Sequence, residues 1–141
     1  MCIRANIDIT IVEGGTFNKT FQWKTGDPAL PVDLTGYSAH MQVRAKIKDT
    51  TVLLDVDHQL LAWTADGPTG IYFYNDEYDE YDAEDFGKWR IYLKDNDTQG
   101  LCANHKNIEG VYDLFLYNPS REAVLQQYGT ANIIAAVTRD E

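Results

Sequence analysis

Pro31-Val32-Asp33-Leu34-Thr35-Gly36-Tyr37-Ser38-Ala39-His40-Met41-Gln42-Val43-Arg44 is a turn that launches a strand, and the alternation continues through Ala45-Lys46-Ile47-Lys48. Tyr37, Ala39, Met41, Val43, Ala45 and Ile47 fall on one side, and Ser38, His40, Gln42, Arg44, Lys46 and Lys48 on the other. A period of two with no fault over twelve residues predicts a half-buried β-strand with one apolar and one basic-polar face. Val32 and Leu34 are placed to anchor the incoming loop, Gly36 permits a tight turn, and Tyr37 opens the core face with its hydroxyl at the rim.

Working outward, the same period recurs. Ile3, Ile7, Ile9 and Ile11 alternate with Arg4, Asp8 and Thr10 until Gly14-Gly15, after which Phe17, Phe21 and Trp23 share a face of a returning strand. The two are expected to form a hairpin. Asp27-Pro28-Ala29-Leu30-Pro31 reads as a crossover loop, because proline lacks the donor that a central ladder needs. Shorter strands are expected at 52–56, 60–63 and 71–74. Trp89, Ile91 and Leu93 mark another strand; Val111 to Tyr117, apolar on both faces, reads as a central one. Residues 122–128 and 131–137 complete the set. Eight or nine short strands, with no helix of ten residues, describe a β-sandwich or barrel of a single domain spanning residues 1–141.

The net charge of −10 opposes nucleic-acid binding, which depends on Lys and Arg displacing phosphate counterions. There is no run of about 18 apolar residues to insert into a membrane. The N-terminal alternation, where a signal peptide would carry a continuous apolar block, predicts a chain made in a cytoplasm. Cys2 and Cys102 are too few and too far apart for a disulfide framework or a paired-thiol metal site.

Two segments suggest calcium, and both fail on donor positions. The run from Asn75 to Asp85 carries seven of the 22 carboxylates but has no internal glycine for the sharp turn, so it reads as a solvated acidic loop. Asp95-Asn96-Asp97-Thr98-Gln99-Gly100 has oxygen donors at the first, third and fifth positions, yet Lys106 stands where a bidentate Glu is required. No metal or cofactor is expected. His40, His58 and His105 sit in separate polar contexts, and no HExxH, GxSxG or phosphate-binding glycine loop occurs, so no catalytic residues are assigned. Of the aromatics flanking the acidic run, Tyr72, Tyr74, Phe86 and Trp89 are split between core and surface, with Trp89 expected inside; Tyr78 and Tyr81 are the better surface residues.

With the strands placed, the chain resembles a family of small proteins encoded among the structural genes of tailed bacteriophages. The resemblance rests on the turn and strand from Pro31 to Arg44, with His40 where the family commonly has arginine. It rests also on Gly110-Val111-Tyr112-Asp113-Leu114-Phe115-Leu116-Tyr117-Asn118-Pro119 and on a closing strand ending Val137-Thr138-Arg139. The order of these elements is similar to the N-terminal domain of phage baseplate upper proteins. The resemblance implies an immunoglobulin-like antiparallel β-sandwich in the virion, a tail, collar or baseplate component without enzymatic activity. Its partners would be other phage structural proteins in multiple copies. His40, Gln42, Arg44, Lys46 and Lys48 would form one interface, suited to meet the acidic 76–85 loop of a neighbour, with Tyr78 and Tyr81 beside it. The alternative reading is a receptor- or carbohydrate-binding module using the aromatic and acidic segment.

Overall fold

A computed structural model describes residues 3–26, 28–60, 63–74, 86–102 and 105–136. The described residues are mostly β-strand, with a helical turn after the ninth strand. Its larger sheet contains β1 (Ile3–Asn6), β2 (Ile9–Val12), β6 (Ser38–Arg44), β7 (Leu54–Asp57), β10 (Ile108–Tyr117) and β11 (Ala123–Ile134). The order across it is β1, β11, β10, β6, β7, with β2 also on β11. The smaller sheet orders β3 (Phe17–Gln22), β9 (Lys88–Leu93) and β8 (Gly70–Phe73). A two-residue ladder joins β4 (Lys24–Thr25) to β5 (Leu30–Pro31), and α1 (Asp95–Thr98) is the helical turn.

Apolar residues of both sheets meet in one core. Met41 and Val43 of β6, Leu114 and Leu116 of β10, and Ile133 of β11 lie against the same cluster as Ile71, Phe73, Trp89 and Ile91 of the smaller sheet. Each such side chain contributes roughly 1.5–3 kcal/mol by leaving water. Trp89 is inside, as its alternation with Ile91 and Leu93 requires. Cys102 is buried, its thiol donating to Ile133 O at 3.8 Å.

The turn before β6 behaves as its residues dictate. Asp33 Oδ1 accepts from the Thr35 amide at 3.0 Å and the Thr35 hydroxyl at 2.7 Å, the Tyr37 amide closes on Leu34 O at 3.0 Å, and Leu34 is buried. Gly36 sits at φ +80°, and a Cβ there would press on the Pro119 ring at 3.1 Å. The two motifs behind the phage resemblance are neighbours in space: β6 and β10 pair antiparallel from Val111↔Arg44 to Tyr117↔Ser38.

Several expectations are corrected. The predicted first strand breaks at Ile7-Asp8 into β1 and β2. Both lie parallel to β11, so the larger sheet is mixed rather than antiparallel. The predicted first hairpin does not form: the Gly14-Gly15 turn carries the chain from one sheet to the other, where β3 pairs with β9. The strand predicted to reach Lys48 ends at Arg44, because the Asp49 amide turns back onto Lys46 O at 3.0 Å, and Ile47 is left 81% exposed. The strands expected at 122–128 and 131–137 are joined in one, β11, which ends at Ile134, Val137 lying outside the described residues; eleven strands are described in place of eight or nine.

Candidate functional site

Alternation puts every second residue of the larger sheet on its outer face, and strand register lines these residues up in rows. One row crosses the sheet as Arg4, Gln126, Phe115, His40 and Asp57; the next runs Asn6, Tyr128, Asp113, Gln42 and Asp55. Thr130, Val111 and Arg44 form a third. Around Asp113 the face sinks into a groove of about 820 Å³, bordered by Arg4, Asp8, Arg44, Gln126 and Tyr128.

The side chains hold one another in place. The Arg4 Nε donates to Gln126 Oε1 at 2.7 Å while its guanidinium lies 5.2 Å from the centre of the Tyr128 ring, a cation–π distance. Arg44 donates to Gln42 Oε1 at 3.0 Å and to Asp49 O. His40 pairs with Asp55. Desolvation in the groove raises the Asp113 carboxyl above its ordinary range, opposed in part by Arg44 and His40. Beneath the groove, burial likewise raises the Tyr112 hydroxyl, opposed by its hydrogen bond from Gln127 and reinforced by Asp8. Phe115 and Tyr117, 6.2 Å apart between ring centres, stay half-exposed beside the charged rows.

Of the residues expected to form a basic face, His40, Gln42 and Arg44 do project from one side of β6. Lys46 and Lys48 lie in the turn beyond it. The face is also not simply basic: β7 contributes Asp55 and Asp57, and β10 contributes Asp113, so charges of both signs interleave. Arg4, Asp113, Phe115, Tyr117, Gln126 and Tyr128 were not singled out by the sequence. The available signal was the period of two in β10 and β11, which marks them as outward once the inward set is known.

Tyr78 and Tyr81, with the acidic segment 75–85, lie outside the described residues. Of the other aromatics near it, Tyr72 and Trp89 are buried. Arg90 lies 3.8 Å from the centre of the Trp63 ring, and Tyr92 meets the same ring edge-on at 5.6 Å, so that indole is covered by its own chain. In the segment considered for calcium, Asp97 accepts from the Thr69 hydroxyl and Asp95 Oδ1 from the Asn96 amide at 2.9 Å. Both carboxylates are thus engaged by groups of the chain itself. His58 packs on the Phe73 ring at 4.3 Å, and His105 stands on an exposed turn at φ +59°.

None of the described helices is long and apolar enough to cross a membrane. Compared with protein-family models and with curated proteins, the chain matches none of either.

Proposed function

We propose that this chain is a non-enzymatic structural component of a tailed-phage virion, in the tail, collar or baseplate, and that it binds neighbouring virion proteins through the outer face of its larger sheet. The observation that carries the reading is the composition of that face. Half-exposed Phe115, Tyr117 and Tyr128 sit among ordered Arg4, Arg44 and Asp113, the aromatic and arginine mixture that protein interfaces favour. A central strand with apolar residues on both sides, as β10 has, is suited to a second layer over its outer side.

An immunoglobulin-like sandwich is the finer fold we infer. Its support is topological: a first strand parallel to the last, a larger sheet closed by the pair β6–β7, and a three-stranded sheet β3, β9, β8 across the core. The alternative of receptor or glycan recognition rested on Tyr78 and Tyr81, and no observation among the described residues favours it.

The test is direct. Mass spectrometry and cryo-electron microscopy of purified source particles are expected to find the chain in multiple copies, with the larger sheet turned toward a neighbour. The double change Phe115→Ser and Tyr117→Ser should prevent incorporation while the purified protein stays folded. Particles that lack the chain, or that incorporate the double variant normally, would refute the proposal.

A further inference from the structure

We propose that His40, Asp55 and Asp57 bind a divalent transition-metal ion of the zinc type. This goes beyond the assembly reading and does not depend on it.

The site is built by strand register. His40 on β6 faces Asp57 directly across the ladder, and Asp55 is diagonal to it; the two aspartates, two residues apart, share one face of β7. One ligand atom from each residue lies within 4.8 Å of the others. Hydrogen bonding alone leaves this arrangement incomplete. The His40 Nε2 has at most one proton to give, and it goes to Asp55, leaving the Asp57 oxygen at 3.6 Å, beyond hydrogen-bond reach. Two carboxylates thus converge on a single nitrogen, and together they outweigh any charge the imidazole can carry. Arg44, the nearest cation on β6, is engaged with Gln42 and Asp49 O.

A metal ion satisfies all three donors at once. Zinc takes histidine nitrogen and carboxylate oxygen at about 2.0–2.2 Å, which sets tetrahedral ligands about 3.4 Å apart. The Nε2 to Asp57 separation of 3.6 Å already matches that spacing, and Asp55 needs only a side-chain rotation, to which its 54% exposure is no obstacle. The imidazole selects against magnesium and calcium, which prefer oxygen alone, and in favour of zinc, cobalt or nickel. Three protein ligands leave a fourth position for water or for a donor from a neighbouring molecule.

Isothermal titration of the full chain with Zn²⁺, and visible absorption with Co²⁺ as a spectroscopic substitute, test this. One ion per chain is expected, with Mg²⁺ giving no saturable heat. His40→Ala, Asp55→Asn and Asp57→Asn should each weaken zinc binding by at least about 10- to 100-fold, the loss seen even when a ligand's own hydrogen-bond partner is removed. His58→Ala and His105→Ala should bind as the parent does. All three ligand residues are at the surface, so unchanged thermal unfolding without metal will show that the variants fold. Absence of saturable zinc binding overturns the proposal, as does a His40→Ala variant that binds zinc like the parent.

Discussion

Glu13 continues the inward series Ile9, Ile11, and the fold keeps it there, 3% exposed, as a carboxylate inside an all-β core. Its Oε2 accepts from the Cys102 amide at 2.7 Å and its Oε1 from the Ala136 amide at 3.2 Å, so one side chain joins the end of β2 to two separate segments. Glu13→Ala removes both acceptors. An abandoned buried donor costs about 1–3 kcal/mol, and bonds to a charged group lie toward the upper end, so the loss should be about 3–5 kcal/mol after allowing for the carboxylate that no longer has to be desolvated. Glu13→Gln keeps one carbonyl oxygen for one amide but presents an NH₂ to the other, and should lose about half as much. At roughly 4 °C per kcal/mol for a domain of this size, Tm should fall by about 12–20 °C for Ala and about 6–10 °C for Gln. Urea unfolding followed by tryptophan fluorescence gives the free energies directly. A Glu13→Ala protein within about 1 kcal/mol of the parent, or one more stable than Glu13→Gln, would refute the reasoning.

Three further changes probe other joints. Gly87 sits at φ +76° with Trp23 O only 2.4 Å from where a Cβ would stand, so Gly87→Ala should cost at least about 2 kcal/mol in chemical denaturation. The buried Tyr112 hydroxyl donates to Ile7 O and accepts from Gln127 Nε2 at 3.0 Å; Tyr112→Phe strands that amide and should cost about 1–3 kcal/mol. Because Asp113 is raised above its ordinary carboxyl value of 3.8, the folded state holds that proton more tightly than the unfolded chain. Its contribution to stability therefore falls as pH rises from the unfolded value through the raised one. Asp113→Asn should stabilise the protein at neutral pH, and the gain should vanish below the unfolded value. A variant minus parent difference in Tm that stays flat from acid to neutral pH would contradict this.

What could be read in the sequence was what depends on local periodicity. The turn at Asp33 to Gly36, the core side of β6 and the burial of Trp89, Ile91 and Leu93 follow from alternation and turn chemistry alone. Partner choice did not follow, because it is decided by contacts far apart in the chain. Nothing in Ile3 to Ile11 distinguishes pairing with β3 from pairing with β11, and Gly14-Gly15 serves a hairpin and a change of sheet equally well. The charge of the outer face is hidden from the sequence for the same reason. Along β6 it is basic, but Asp55, Asp57 and Asp113 reach it from neighbouring strands, and only register shows that they do. The end of β6 is not legible because Ala45 and Ile47 continue the apolar alternation beyond Arg44, where the strand stops.

The parallel seam of β1 and β2 along β11 also gives the molecule a mechanical property. The start of β1 and the end of β11 point in opposite directions along that seam, so tension applied to the two ends slides the strands past one another. The ladder from Ile3↔Leu125 to Ile134↔Val12 would then be loaded in shear, its evenly spaced bonds sharing the force together, whereas a peeled hairpin opens them one at a time. A chain built this way yields late under load, and its resistance is set by the rate of unfolding and not by the equilibrium stability of any one strand.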